Sequence, residues 1–142
     1  PMIAVNLTAA FELAHEASRP MIAQGSGKII NIASLFSFLG GRQSPAYAAT
    51  KAGIVGFTKA YCDELAGHNI QVNAIAPGYF ATAITAATRS DEEADRRIVE
   101  HIPAARWGDV ADLMGALVFL ASPAADYVNG HVLVVDGGYL VR

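Results

Sequence analysis

The chain has 142 residues, of which 53% are hydrophobic and 16% charged, and its formal net charge is −3. This length fits one domain with a substantial core, and the acidic balance gives no reason to expect nucleic acid as a partner. The single cysteine, Cys62, excludes an internal disulfide and predicts a cytoplasmic protein. The longest apolar stretch, residues 113–121, is too short to cross a bilayer, so no membrane is expected as a partner.

The first predicted element is an amphipathic helix over residues 2–24, which ends at the turn residues 24–27 (QGSG). Its expected apolar face consists of Val5, Ala9, Leu13 and Ala17. No strand, cap or turn precedes this helix in the sequence. We therefore expect the chain to lack elements that come before it in the complete fold.

Three short apolar runs predict buried strands, because they are rich in β-branched residues and are bounded by turn residues. They cover residues 28–33, 70–76 and 131–135. Because these strands alternate with helices, the sequence predicts an α/β protein with a parallel sheet. The first run is apolar enough to need a neighbouring strand on each side.

Three further helices are predicted, over residues 45–66, 91–101 and 109–121. Pro45 occupies the first position of one of them, and we expect Ser44 to cap it and Gly67 to close it. Ser90 is the expected cap of the helix over residues 91–101.

Tyr47 and Lys51 lie one helical turn apart in the segment YAATK, and Ser34 precedes the tyrosine at the end of the first strand. An ammonium beside a phenol favours the phenolate, so the pair suits proton exchange near neutral pH. A serine hydroxyl in the same region can hold a substrate oxygen. The alternatives are a surface tyrosine next to a lysine and a serine that caps a strand end.

Other polar and turn residues lie near the predicted strand ends. Asn6 interrupts an apolar helical run and either faces solvent or binds a water beside Lys51. Pro77 and Gly78 follow the second strand and either form a plain turn or let a flat ligand approach the backbone. Thr82 either caps a short helix or binds an amide group. The four histidines lack metal-ligand spacing, so no metal site is predicted.

Taken together, these segments resemble the short-chain dehydrogenase/reductase family. The resemblance rests on VNL (5–7), GKIINIAS (27–34), PAYAATKAGIVGFTKA (45–60), IQVNAIAPGYFAT (70–82) and VDGG (135–138). It implies the C-terminal part of a Rossmann-type doubly wound parallel sheet, one partial catalytic domain over residues 1–142, with the N-terminal nucleotide-binding part absent. It also implies NAD or NADP as the cofactor.

The resemblance implies roles for individual residues. Asn6 would relay a water, Ser34 would hold the substrate oxygen, Tyr47 would transfer the proton, and Lys51 would support Tyr47 and bind the nicotinamide ribose. The residues expected to line the nicotinamide pocket are Pro77, Gly78, Phe80 and Thr82, with Phe80 acting through its backbone.

Segments at 104–108, 112–122 and 126–131 resemble the sugar-acid dehydrogenases within the family. They imply oxidation or reduction of a sugar acid such as 2-deoxygluconate or 2-dehydro-3-deoxygluconate, with gluconate 5-dehydrogenases and 3-oxoacyl-carrier-protein reductases as near relatives. Arg42 and Gln43 are candidates to meet the substrate carboxylate, since a guanidinium pairs bidentately with it. A solvated loop arginine is the alternative.

Two hypotheses remain open from the sequence. In the first, the chain is the catalytic part of an NAD(P)-dependent enzyme that acts on a small molecule as a homo-oligomer, a dimer or tetramer. In the second, the 142 residues are a folded but non-catalytic fragment that associates through an exposed strand edge. The absence of a glycine-rich loop favours the second hypothesis for this chain alone.

Overall fold

The computed structural model describes residues 1–142 and contains one sheet of three parallel strands in the order β1–β2–β3. The strands are β1 (Gly27–Ile32), β2 (Ile70–Pro77) and β3 (Val132–Val135). The helices are α1 (Ala9–Gln24), α2 (Pro45–Leu65), α3 (Ala86–Ser90), α4 (Glu92–His101) and α5 (Met114–Ala121). The predicted α/β class and three-stranded parallel sheet are confirmed.

Strand β2 forms the centre of the sheet because it pairs with β1 on one side and β3 on the other. One of its faces packs on α1 and α2, where Ile70 and Val72 join Tyr61 of α2 in the core. The opposite face packs on α5, where Ile75 meets Leu120. Helices therefore cover both faces of the sheet, as in a doubly wound fold.

Helix α1 differs from its prediction at both its start and its buried face. Ala4–Thr8 form a π-helical turn, in which the amide of Ala9 donates to the carbonyl of Ala4. Val5 and Leu13 are 69% and 72% exposed, so the predicted apolar face is not covered. This face lies beside β1, which pairs only with β2 and leaves its other edge open.

Both ends of α2 differ from the prediction that the Ser44 side chain caps its start and Gly67 closes its end. The Ser44 side chain makes no capping bond, and its carbonyl instead accepts from the amide of Ala48. A 3₁₀ turn follows α2, and Asn69, with a φ of 58°, is the left-handed residue that ends it. Asparagine tolerates this conformation, so the prediction that Gly67 closes the helix was wrong.

The last helices also begin differently from the prediction. The carboxylate of Asp91 accepts from the amides of Glu93 and Ala94, so Asp91 caps α4 and Ser90 does not. Residues 110–113 form a 3₁₀ turn before α5, because the carboxylates of Asp109 and Asp112 bond the backbone there. None of the helices is both long and apolar enough to span a membrane.

Candidate active site

The candidate residues cluster at the carboxyl edge of the sheet. Because the strands are parallel, Ser34 after β1, Pro77 at the end of β2 and Asp136 after β3 lie at this same edge. The amide of Ala33 continues the ladder by donating to the carbonyl of Ile75 at 2.8 Å. Ligands of open parallel sheets bind at this edge.

Lys51 is buried at the centre of this cluster, with 8% of its surface exposed. Its Nζ lies 5.7 Å from the centroid of the Tyr47 ring and donates to the carbonyl of Ile32 at 2.8 Å. Burial lowers the pKa of the Lys51 ammonium. The bond to Ile32 uses one of the three ammonium donors and anchors the side chain at the open end of β1.

Tyr47 lies in the first turn of α2 and has one aromatic neighbour in addition to Lys51. Its ring packs edge to face against Phe36, with centroids 5.8 Å apart. The hydroxyl of Thr50 donates to the Tyr47 carbonyl at 2.7 Å. The phenol itself makes no hydrogen bond within the chain, so it is free to bond a substrate oxygen.

Ser34 follows β1 and caps the short 3₁₀ turn Leu35–Ser37. Its Oγ accepts from the amide of Phe36 at 3.2 Å, while its own amide donates to the hydroxyl of Ser37. The Ser37 hydroxyl donates in turn to the carbonyl of Lys51 at 2.8 Å. Ser37 therefore ties the Ser34 loop to α2. The S-x-x-S spacing of a capping box is the sequence signal that would have identified it.

Asn6 lies within the π-helical turn, and its side-chain amide donates to the carbonyl of Met2 at 3.2 Å. It lines a cavity of ≈ 440 Å³ between α1 and the open edge of β1. Lys51 and Ile32 line the same cavity. Wide helical turns are frequent at functional sites, and this one places Asn6 on the side of the cluster where Lys51 is anchored.

The end of β2 is packed tightly against the residue that follows β3. The amide of Gly78 donates to the carbonyl of Val135 at 2.8 Å. A Cβ on Gly78 would lie 2.6 Å from the Cα of Asp136, so only glycine fits here. The close approach of the two backbones is thus a structural reason for a glycine at this position. It is separate from the ligand approach that the sequence suggested.

Phe80 and Thr82 occupy the loop after β2. The Phe80 ring packs on Gly108, and its carbonyl accepts from the hydroxyl of Thr85 at 2.7 Å. Thr85, not Thr82, stands at the start of α3. The Thr82 hydroxyl makes no hydrogen bond within the chain and is half-buried, so it is free to contact a ligand.

Arg42 and Gln43 lie in the loop that connects Phe36 to Tyr47. Both are exposed and line a cleft that α4 and the C-terminal residues complete. The sequence did not indicate that Arg97 and His101 of α4 also line it. In the same cleft, burial and then the neighbouring Tyr139 raise the pKa of Tyr79 to about 12.

The structure thus groups the predicted residues in two connected places. Ser34, Tyr47 and Lys51 lie together, and Asn6 lines the same cavity beside β1 as Lys51. Arg42 and Gln43 belong to the cleft beyond Phe36.

The residues present fit the nicotinamide half of NAD(P). Lys51 has two ammonium donors beyond the one that bonds Ile32, and these are available to the hydroxyls of a ribose. The sequence has no G-x-G-x-x-G segment between a strand and a helix, so these residues offer no such loop for the pyrophosphate.

A family model described as enoyl-(acyl carrier protein) reductase matches residues 1–140. This match and the tyrosine–lysine pair at the strand ends of a parallel sheet place the chain in the class of α/β oxidoreductases. It belongs to the short-chain dehydrogenase/reductase family, which is NAD(P)-dependent.

The chain is similar to several known proteins over almost its whole length. It is 72% identical to the uncharacterized oxidoreductase YgcW of Escherichia coli (strain K12), covering 100% of this chain and 54% of that protein. It is 55% identical to 2-dehydro-3-deoxy-D-gluconate 5-dehydrogenase of Bacillus subtilis (strain 168), covering 97% of this chain and 54% of that protein. The chain therefore spans about half the length of the curated relatives that it matches.

A solved structure shares the fold closely. The gluconate 5-dehydrogenase from Burkholderia cenocepacia J2315, in complex with NADP and tartrate, matches with a TM-score of 0.96 and 44% identity. The match covers 99% of this chain and 55% of that one.

Proposed function

We propose that this chain is the catalytic part of an NAD(P)-dependent oxidoreductase that interconverts a secondary alcohol and a ketone on a sugar acid. The observation that carries the proposal is the buried Lys51 ammonium beside the Tyr47 ring, with Ser34 tied to the same helix through Ser37. A buried ammonium next to a phenol with a free hydroxyl is suited to proton transfer.

The residues divide the work of the reaction. When bound, the nicotinamide supplies or accepts the hydride at the reacting carbon. In the direction of reduction, Ser34 donates a hydrogen bond to the carbonyl oxygen, and Tyr47 gives its proton to that oxygen. The positive charge of Lys51 stabilises the phenolate that remains. Asn6, across the cavity from Lys51, positions a water that returns a proton to the site.

The pocket residues complete this proposal. Lys51 would bind the ribose, and Tyr47 would contact the nicotinamide side of the cofactor. Pro77, Gly78, Phe80 and Thr82 would line the nicotinamide pocket, with the free Thr82 hydroxyl bonding the carboxamide. NAD and NADP are both compatible with these residues, because the pocket for the adenine ribose lies outside them.

The sugar-acid assignment is supported by similarity to relatives that act on such compounds. The named function of the Bacillus subtilis relative is dehydrogenation of 2-dehydro-3-deoxy-D-gluconate, and the Burkholderia structure holds the dicarboxylate tartrate. Substrates of this class carry the secondary alcohol or ketone that the proposed chemistry requires.

The alternative is a non-catalytic fragment that folds and self-associates, and the open edge of β1 favours it for the isolated chain. A titration of the 142-residue chain with NADH separates the two. Saturable micromolar binding would refute the fragment hypothesis. The absence of binding would support it, and catalysis would then require a longer form of the protein.

Replacing Tyr47 with phenylalanine tests the proton-transfer role. In a full-length form that contains this chain, we expect Tyr47→Phe to lower kcat at least about 10²-fold, because positioned acid–base groups contribute on that scale. Binding of NADPH, measured by fluorescence, should be retained. Tyr127→Phe is the matched control, since Tyr127 is fully exposed. Unchanged turnover in Tyr47→Phe would refute the assignment.

A further inference from the structure

The cleft beyond Phe36 contains two arginines without partners. Of the chain's arginines, only Arg42 and Arg97 have guanidinium groups that make neither an ion pair nor a hydrogen bond. Both line the same cleft, which also contains the imidazole of His101. Three nitrogen-rich side chains therefore converge on one cavity.

No acidic side chain balances this charge. The cleft is lined by Arg42, Gln43, Arg97 and His101 together with aromatic and aliphatic residues, and by no aspartate or glutamate. Arg97 and His101 are i and i+4 on α4, and placing two basic groups at that spacing does not help a helix. The neighbouring Arg96 faces elsewhere and pairs with Glu100 at 4.0 Å. Two arginines without counter-ions indicate a site for an anion.

The floor of the cleft is built from aromatic rings that pack on one another. The His101 ring packs at a tilt on Tyr139 with centroids 4.3 Å apart, and Tyr139 packs at a similar tilt on Tyr79 at 5.0 Å. Trp107 packs edge to face on Tyr79 and donates its Nε1 to Asp95 of α4 at 2.7 Å. This bond ties the helix that carries Arg97 to the loop beneath the cleft.

The cleft is connected to the proposed chemistry through Phe36. Phe36 lines the cleft and packs on the Tyr47 ring with centroids 5.8 Å apart. The cleft is therefore separated from the Tyr47 ring by a single side chain. Gln43 has a left-handed backbone with φ 65°, a strained conformation that recurs at ligand-binding loops.

We infer that Arg97 and His101 of α4, together with Arg42, bind the carboxylate of the substrate and so select sugar acids over neutral sugars. This rests on the proposed function, because it assigns one end of the same substrate. Arg97 supplies the bidentate donor pair that a carboxylate accepts. His101 adds a ring N–H, while Tyr79 and Tyr139 exclude water on one side.

The test compares binding of D-gluconate and D-sorbitol, which differ in the carboxylate, to a full-length form that contains this chain. Isothermal titration with NADP present should give a Kd for gluconate that rises about tenfold or more in Arg97→Gln, the scale of one lost charge-assisted interaction. Arg97→Lys should recover part of the affinity, since it restores the charge without the fork. Arg96→Gln is the matched control on the same helix.

The outcomes separate this inference from the proposed function. Equal gluconate affinity in wild type and Arg97→Gln, or an equal loss for sorbitol, would overturn the carboxylate site even if sugar acids are turned over. Arg97-dependent gluconate binding without hydride transfer would support the site and refute the catalytic proposal. Because Arg97 is exposed and unpaired, its substitution leaves the fold intact, and circular dichroism checks this.

Discussion

Lys51 combines burial with a positive charge, two properties that oppose each other in a protein interior. Its ammonium has one backbone acceptor, the carbonyl of Ile32, and desolvation lowers its pKa. An apolar side chain at this position would often stabilise the fold at least as well as the buried charge does. In the function that we propose, this charge stabilises the phenolate of Tyr47, whose ring centroid lies 5.7 Å from Nζ.

Tyr79 provides a pH test of the cleft. Its pKa is raised from 10.0 to about 12, first by burial and then by Tyr139. Between these values the unfolded chain loses the proton while the native chain keeps it, so Tyr79 makes the stability fall as pH rises through that range. We expect Tyr79→Phe to flatten the decline of the unfolding free energy between pH 10 and 12. Parallel declines in both proteins, measured by urea unfolding, would refute the buried environment.

At the scale of elements, the sequence predicts what depends on local composition and misses what depends on geometry. The β-branched runs placed β1 and β2 within a residue or so, because a buried strand needs that composition along its whole length. The prediction that Ser90 caps α4 was wrong. Ser90 and Asp91 are both good capping residues, and only the backbone dihedrals decide between them.

The cap of α4 can be tested directly. Asp91→Ala should lower the unfolding free energy by about 0.5–2 kcal/mol, because two backbone amides lose their acceptor. Ser90→Ala is the adjacent control and should change it by less than about 0.5 kcal/mol, as at other surface sites. Equilibrium urea unfolding measures both, and a larger effect of Ser90→Ala would contradict the assignment.

The candidate site was predictable only in part, for a related reason. Tyr47 and Lys51 share a helix face, so their spacing alone brings them together. Arg97 and Arg42 lie far apart in sequence, and only the return of α4 over the sheet edge places them in one cleft. Ser37 stands three residues after Ser34, but this spacing does not reveal that its hydroxyl also joins the Ser34 loop to α2.

At the scale of the whole molecule, one side of the sheet is open. Strand β1 has a single partner, Ile32 at its end is 52% exposed, and Val5 and Leu13 flank the same cavity without cover. Helical periodicity identified the apolar face of α1 but not what covers it. The periodicity shows only where the apolar residues lie on the helix, not which part of the protein they contact. An exposed strand edge next to apolar side chains favours association.

We expect the 142-residue chain to self-associate through this side. Leu13→Glu should shift its sedimentation towards the monomer, because a charge replaces an apolar side chain beside the open edge. Ile84→Glu is the matched control, as Ile84 is 94% exposed in the loop before α3. Identical sedimentation of the two variants would exclude the β1 side as the contact.

The π-helical turn at Ala4–Thr8 has a consequence for how the site changes under insertion and deletion. A wide turn accommodates one more residue than an α-turn, so it is equivalent to a single-residue insertion absorbed by a helix. Removing one residue from it would let the helix close to regular α geometry. Everything on its N-terminal side would then rotate by about 100° around the helix axis. Asn6 would turn with it, so the length of this one turn decides whether its amide lies across the cavity from Lys51.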